Sequence, residues 1–110
     1  MRLNALVVIR TADNDVLFRL TVRNDGERPL RLRFESGQTT EFVVAGGGKP
    51  VWRWSDGRMF TQQIRHETLS PGDETTAEGR WSDPPAGQYT VEATLSDAEE
   101  RPTAETTFEV

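Results

Sequence analysis

The segment Val16-Leu17-Phe18-Arg19-Leu20-Thr21-Val22 has an apolar side chain at every second position, from Val16 to Val22. A period of two is typical of a strand with one face in a core and the other in water. The same alternation recurs at residues 30–35, 89–95 and 107–110. The repeated pattern predicts an all-β chain.

Turn-forming residues separate these stretches at short intervals. Glycine, proline, asparagine and aspartate cluster at residues 13–15, 24–29, 46–50, 55–57, 71–73, 83–87 and 97–102. This spacing divides the chain into about eight or nine short strands, as in an antiparallel sandwich. Residues 59–66 show only a weak helical pattern. We therefore predict a single immunoglobulin-like β-sandwich domain over residues 1–110.

The connection at residues 24–29 decides whether the chain has a basic surface. In a tight hairpin around Asp25-Gly26, Val22 and Leu30 would point to opposite faces. A three-residue loop or an arch into another sheet removes this conflict, and we favour the arch. The arch also places four arginines on opposite outer faces instead of in one basic patch. These are Arg19, Arg23, Arg31 and Arg33.

The composition argues against several classes of partner and location. The 18 acidic residues outnumber the 13 basic ones, and a net charge of −5 disfavours nucleic-acid binding. No apolar stretch is long enough to span a bilayer, and residues 1–9 predict a first strand instead of a signal peptide. The absence of cysteine is compatible with a cytoplasmic location, which we predict. The sequence gives no prediction of the oligomeric state.

The motifs that resemble catalytic or metal-binding sites are all incomplete. His66 is followed by Glu67 but lacks the second histidine of a zinc-protease motif, and it lies in a predicted strand. Ser36 has no evident base partner. Residues 13–15 begin like a calcium loop that then fails, and the glycines at 46–48 lack the Lys-Ser/Thr pair and the helix that follow a phosphate loop. We predict no catalytic residue, no metal ligand and no cofactor.

The segment from Val51 to Phe60 is the most unusual part of the chain. Trp52 and Trp54 share one face of a predicted strand, so we expect both in the core, with Arg53 pointing outward. The turn at residues 55–57 follows them. Two interpretations of this turn remain open: it only reverses the chain, or it presents three residues to a partner. Those residues are Arg58, Met59 and Phe60.

Several pieces of the chain, in order, resemble the intracellular proteinase inhibitor family, the BsuPI-type domain. The more specific pieces are Phe34-Glu35-Ser36-Gly37-Gln38 and Val51-Trp52-Arg53-Trp54-Ser55. The similarity also covers residues 22–24, 30–33, 41–44, 56–62, 68–73 and 85–91. The resemblance implies an immunoglobulin-like sandwich that inhibits an intracellular subtilisin-like serine protease.

Two functional hypotheses follow. In the first, an exposed rigid loop occupies a protease cleft that binds extended peptides. Its candidate partner-binding residues are Arg58, Met59 and Phe60, with Leu69 as a candidate in a second loop. In the second, the domain is a non-inhibitory interaction module that pairs an edge strand, such as residues 103–110, with another protein or with a second copy of itself. A glycan-binding domain is a third option, which requires two exposed tryptophans. Exposure of Met59 and Phe60 discriminates between the first two.

Overall fold

The computed structural model describes residues 3–110, which form nine strands and no helix. The strands are β1 (Leu3–Ala12), β2 (Asp15–Asn24), β3 (Leu30–Phe34), β4 (Thr40–Gly46), β5 (Lys49–Arg53), β6 (Arg65–Leu69), β7 (Glu74–Trp81), β8 (Gln88–Leu95) and β9 (Thr103–Glu109). The all-β prediction is confirmed. Residues 59–66, which show the weak helical pattern, form an irregular segment over 59–64 and then the first two residues of β6. Residues 3–110 accordingly hold no helix of the length and apolarity that a membrane crossing requires.

The strands form three antiparallel sheets. The three-stranded sheet has the order β1-β2-β7, the four-stranded sheet has the order β5-β4-β8-β9, and β3 pairs with β6 in a two-stranded sheet. This arrangement fits the predicted sandwich. The finer assignment to the immunoglobulin-like class stays a prediction.

The inward side chains of the two larger sheets meet in one core. The alternating residues Val16, Phe18, Leu20 and Val22 of β2 are all at most 1% exposed, as their period of two predicts. Phe42 of β4 lies across the core, with its ring centroid 5.6 Å from that of Phe18. The two rings join the three-stranded sheet to the four-stranded sheet.

The connection after β2 is an arch, as predicted. Strand β2 pairs with β1 and β7, whereas β3 pairs with β6, so no β2–β3 hairpin forms. Asn24 is fully buried at this corner, where its Nδ2 donates to the carbonyl oxygens of Arg28 at 2.9 Å and Leu69 at 2.8 Å. The arch separates the arginines of β2 from those of β3. The β2–β3 hairpin that would bring the four arginines into one patch therefore does not form.

Candidate functional site

The longest segment between consecutive strands joins β5 to β6 at residues 54–64, called here the 54–64 loop. Its first turn is closed by backbone hydrogen bonds from Asp56 N to Arg53 O and from Arg58 N to Ser55 O, both 3.1 Å. Gly57 has a φ of 76°, a left-handed conformation that glycine adopts without a steric penalty. The Ser-Asp-Gly sequence thus forms the turn that the sequence predicts, and the chain then runs on without a strand to Ile64.

Met59 projects from the 54–64 loop with 99% of its surface exposed, and both of its neighbours are held on one indole ring. The guanidinium carbon of Arg58 lies 4.3 Å from the centroid of the Trp54 ring, and Arg58 Nε donates to the Trp54 carbonyl oxygen at 2.9 Å. The ring of Phe60 lies 5.7 Å from the Trp54 ring. We call Trp54 with Arg58 and Phe60 the Trp54 clamp. It holds the chain on either side of Met59.

Trp54 connects this clamp to the core. Its ring makes an edge contact with Phe42 at 6.4 Å, and its backbone N–H donates to the Phe42 carbonyl oxygen at 3.0 Å. On the opposite sheet, Gly79 lies directly against both rings. A Cβ added there would come within 2.8 Å of Phe42 and 2.9 Å of Trp54. The glycine in the middle of β7 therefore provides the space in which the indole sits.

The carboxylate of Glu41 braces the beginning of the 54–64 loop. Its Oε1 accepts hydrogen bonds from the backbone N–H groups of Ser55 and Phe42, both at 3.1 Å, and its Oε2 accepts from the Ser55 hydroxyl. Gln38 Nε2 donates to Oε2 at 3.4 Å, and Arg53 forms an ion pair with it at 3.7 Å. The sequence analysis missed this brace. Glu41 and Ser55 are distant in the sequence, and no local pattern links them.

The second half of the 54–64 loop is fixed to the turn between β3 and β4. Gly37 N donates to the Thr61 carbonyl oxygen at 2.8 Å. A Cβ at Gly37 would lie 2.7 Å from Thr61 Oγ1 and 3.2 Å from Thr61 N, so glycine leaves room for this close approach. This contact gives a structural role to the Ser36-Gly37-Gln38 piece of the family resemblance. The loop is therefore supported on both sides of its exposed tip.

The predicted site residues lie in different environments in the structure. Arg58, Met59 and Phe60 lie together at the tip of the 54–64 loop. Leu69 is only 2% exposed and pairs with Leu30 in the two-stranded sheet, where its side chain belongs to the core. The prediction that Leu69 contacts a partner conflicts with this burial. We correct it, since a partner could reach Leu69 only by opening the sandwich.

The two tryptophans of the segment pack as the core interpretation expects. Trp52 and Trp54 are both partly buried against the core, and the Trp52 ring stacks on Trp81 at 5.7 Å. Arg53 is exposed, as predicted. The pair of jointly exposed tryptophans that a glycan-binding face requires is not formed by Trp52 and Trp54. His66 is exposed in β6, and residues 3–110 contain no cluster of three histidine or acidic side chains placed to hold a metal.

Comparisons with known proteins give one family and one fold. A family model described as "BsuPI: Intracellular proteinase inhibitor" matches residues 4–100. Two solved structures of β-glucosidase from Kluyveromyces marxianus, one of them in complex with glucose, are 13% and 14% identical to this chain, with TM-scores of 0.53 and 0.54. Each covers 98% of this chain, which corresponds to 14% of the β-glucosidase chain. That likeness shows the fold alone. A search of curated proteins found no match.

Proposed function

Because the chain belongs to the intracellular proteinase inhibitor family, we propose that it inhibits a subtilisin-like serine protease through the 54–64 loop. One observation carries the proposal: Met59 is 99% exposed while Arg58 and Phe60, on either side of it, are both held on Trp54. A side chain presented from a fixed backbone suits insertion into a pocket.

The chemistry of Met59 fits an apolar specificity pocket. A subtilisin-type cleft binds an extended segment by strand-like hydrogen bonds and takes one large side chain into a pocket. Methionine is unbranched and adapts to irregular apolar space, and burying it contributes about 1.5–3 kcal/mol. The clamp lowers the entropy cost of binding, because the flanking residues are ordered before the protease arrives.

The Trp54 clamp also opposes destruction of the inhibitor. If a protease cut the Met59–Phe60 bond, Arg58 and Phe60 would still lie on the same indole ring. The new chain ends would stay near each other, which favours rejoining over release. The brace at Glu41 and the backbone bond between Gly37 and Thr61 hold the outer parts of the loop in the same way.

This role is that of a binding protein without catalytic activity. The incomplete motifs at His66 and Ser36 support it, because neither has the full set of residues that its catalytic motif requires. The description of the family as intracellular supports our prediction of a cytoplasmic location. The partner is a protease, and we infer neither a nucleic-acid nor a membrane partner.

The test is the residual activity of a subtilisin-type protease on a small peptide substrate, titrated with the purified protein. We expect stoichiometric loss of activity, with the protein recovered uncut. Met59→Glu should abolish inhibition, because a carboxylate does not enter an apolar pocket. The matched control is Leu6→Glu, which places the same charge at an apolar residue of β1 that is 59% exposed. Full protease activity at high molar excess, or steady digestion of the protein, would refute the proposal.

A non-inhibitory interaction module is the second candidate, and one observation favours it. Strand β9 is an edge strand as predicted, but its exposed residues include Glu105 and Glu109, which discourage pairing. Strand β1 is also an edge, and it exposes the apolar Leu6 and Val8. If β1 pairs with a second copy, sedimentation should show a dimer that Val8→Lys disperses. A monomer at all concentrations would remove self-association from this candidate.

A further inference from the structure

The sulfur of Met59 is the most accessible oxidation site in residues 3–110. The sequence contains no cysteine and two methionines, and the other methionine is Met1. At 99% exposure, the thioether of Met59 meets solvent from nearly every direction. A thioether needs no deprotonation to react with a peroxide, so exposure governs its reactivity.

We propose that Met59 is a reversible oxidation site through which peroxide switches the 54–64 loop off. Hydrogen peroxide transfers one oxygen atom to the Met59 sulfur, forming an S–O bond as the O–O bond breaks. The sulfur loses two electrons to become a sulfoxide, and the peroxide is reduced to water. This inference rests on the proposed inhibitory function, because it concerns the residue that enters the protease pocket.

The Trp54 clamp makes the oxidation consequential. In a flexible loop, a neighbouring apolar residue could replace the oxidised one in the pocket. Here the Phe60 ring is held on Trp54 at 5.7 Å and Arg58 is hydrogen bonded to the Trp54 carbonyl, so neither neighbour is free to take the place of Met59. A polar sulfoxide buried without a hydrogen-bond partner should weaken inhibition by about 5- to 150-fold.

The same geometry separates this switch from general oxidative damage. Met59 contributes almost no packing to the fold, because nearly all of its surface is in solvent. Its oxidation should therefore leave the melting temperature unchanged while it removes inhibition. Methionine sulfoxide reductases reverse the reaction, with one enzyme for each sulfoxide epimer. The exposed tip of the 54–64 loop leaves the sulfoxide accessible to both enzymes.

The experiment treats the purified protein with hydrogen peroxide and follows three quantities: the mass of the peptide that contains Met59, the inhibition constant, and Tm. We expect the gain of one oxygen, inhibition weakened by about 5- to 150-fold, and an unchanged Tm. Treatment with both reductases should restore inhibition. Met59→Leu supplies the control, because leucine keeps an apolar side chain without sulfur. Whatever inhibition constant this variant has before treatment, peroxide should leave that constant unchanged.

Four results would overturn the inference, and they are distinguishable. Complete Met59 oxidation with unchanged inhibition shows that the sulfur does not matter to binding. Loss of inhibition by peroxide-treated Met59→Leu shows that the damage lies elsewhere. Failure of Met59 to oxidise under conditions that oxidise a free methionine peptide removes the site itself. Absence of inhibition by the untreated protein refutes the proposed function, and the switch with it.

Discussion

Met59 and Leu69 are both apolar residues beside turns, and the structure places them in opposite environments. Met59 lies in the irregular 54–64 loop and is 99% exposed, whereas Leu69 is the last residue of β6 and is 2% exposed. The difference arises from whether strand pairing fixes the direction in which the side chain points. Leu69 pairs with Leu30 on the inward face, while no ladder determines which way Met59 points. An apolar residue next to a turn therefore cannot be identified as a contact residue until we know whether it belongs to a strand and which residue it pairs with.

The largest expected effect is the difference in protein stability between alanine substitutions at these two residues. Leu69→Ala removes a buried side chain, so the free energy of unfolding should fall by about 3 kcal/mol. Met59→Ala should change it by less than about 0.5 kcal/mol, since the side chain is exposed. Urea denaturation of both variants measures the difference. Inhibition should show the reverse order, with only Met59→Ala impaired. Equal destabilisation by the two substitutions would break the comparison.

The strand phases were predictable because the period of two is a local property of the sequence. The alternation from Val16 to Val22 identified four core positions of β2, and the parity of Val22 and Leu30 identified the arch. Leu69 was misassigned because the short strand β6 has no alternating apolar pattern from which its inward phase could be read.

The supports of the 54–64 loop were not predictable for a different reason. Glu41 meets Ser55 across fourteen residues, and Gly79 meets Trp54 from the opposite sheet. Both contacts depend on how the sheets stack. A single sequence contains the chemistry of these residues, but not the long-range pairing that brings them together.

A second expected effect tests the contact between Gly79 and the clamp. A Cβ at Gly79 would lie 2.8 Å from Phe42 and 2.9 Å from Trp54, so Gly79→Ala must displace at least one ring. We expect a loss of about 2 kcal/mol in stability, a shift in tryptophan fluorescence, and weaker inhibition. Combining it with Phe42→Leu should reduce the added cost, because the smaller side chain leaves room. An additive double variant would show that the strain lies elsewhere.

The brace at Glu41 should have a slightly smaller effect. Glu41→Ala leaves the Ser55 N–H without its acceptor and removes the ion pair with Arg53, which should cost about 1–2 kcal/mol of stability. The loop should also be digested faster by the target protease. Glu92→Ala is the matched control, since Glu92 is exposed on the adjacent strand β8. Identical digestion rates for the two variants would show that Glu41 does not hold the loop.

The smallest expected effect concerns how Arg58 holds its side of Met59. Arg58→Lys keeps the positive charge but removes the planar group over Trp54 and the Nε donor to the Trp54 carbonyl oxygen. Because Arg58 is exposed, stability should change by less than about 0.5 kcal/mol. Inhibition should weaken about threefold, since a cation–π contact at an exposed site contributes about 0.5–1 kcal/mol. If the weaker inhibition comes only from faster dissociation of the complex, the clamp stabilises the loop after it has bound. Ordering of the loop before binding would change the association rate instead. An unchanged inhibition constant would leave Phe60 as the side of the clamp that matters.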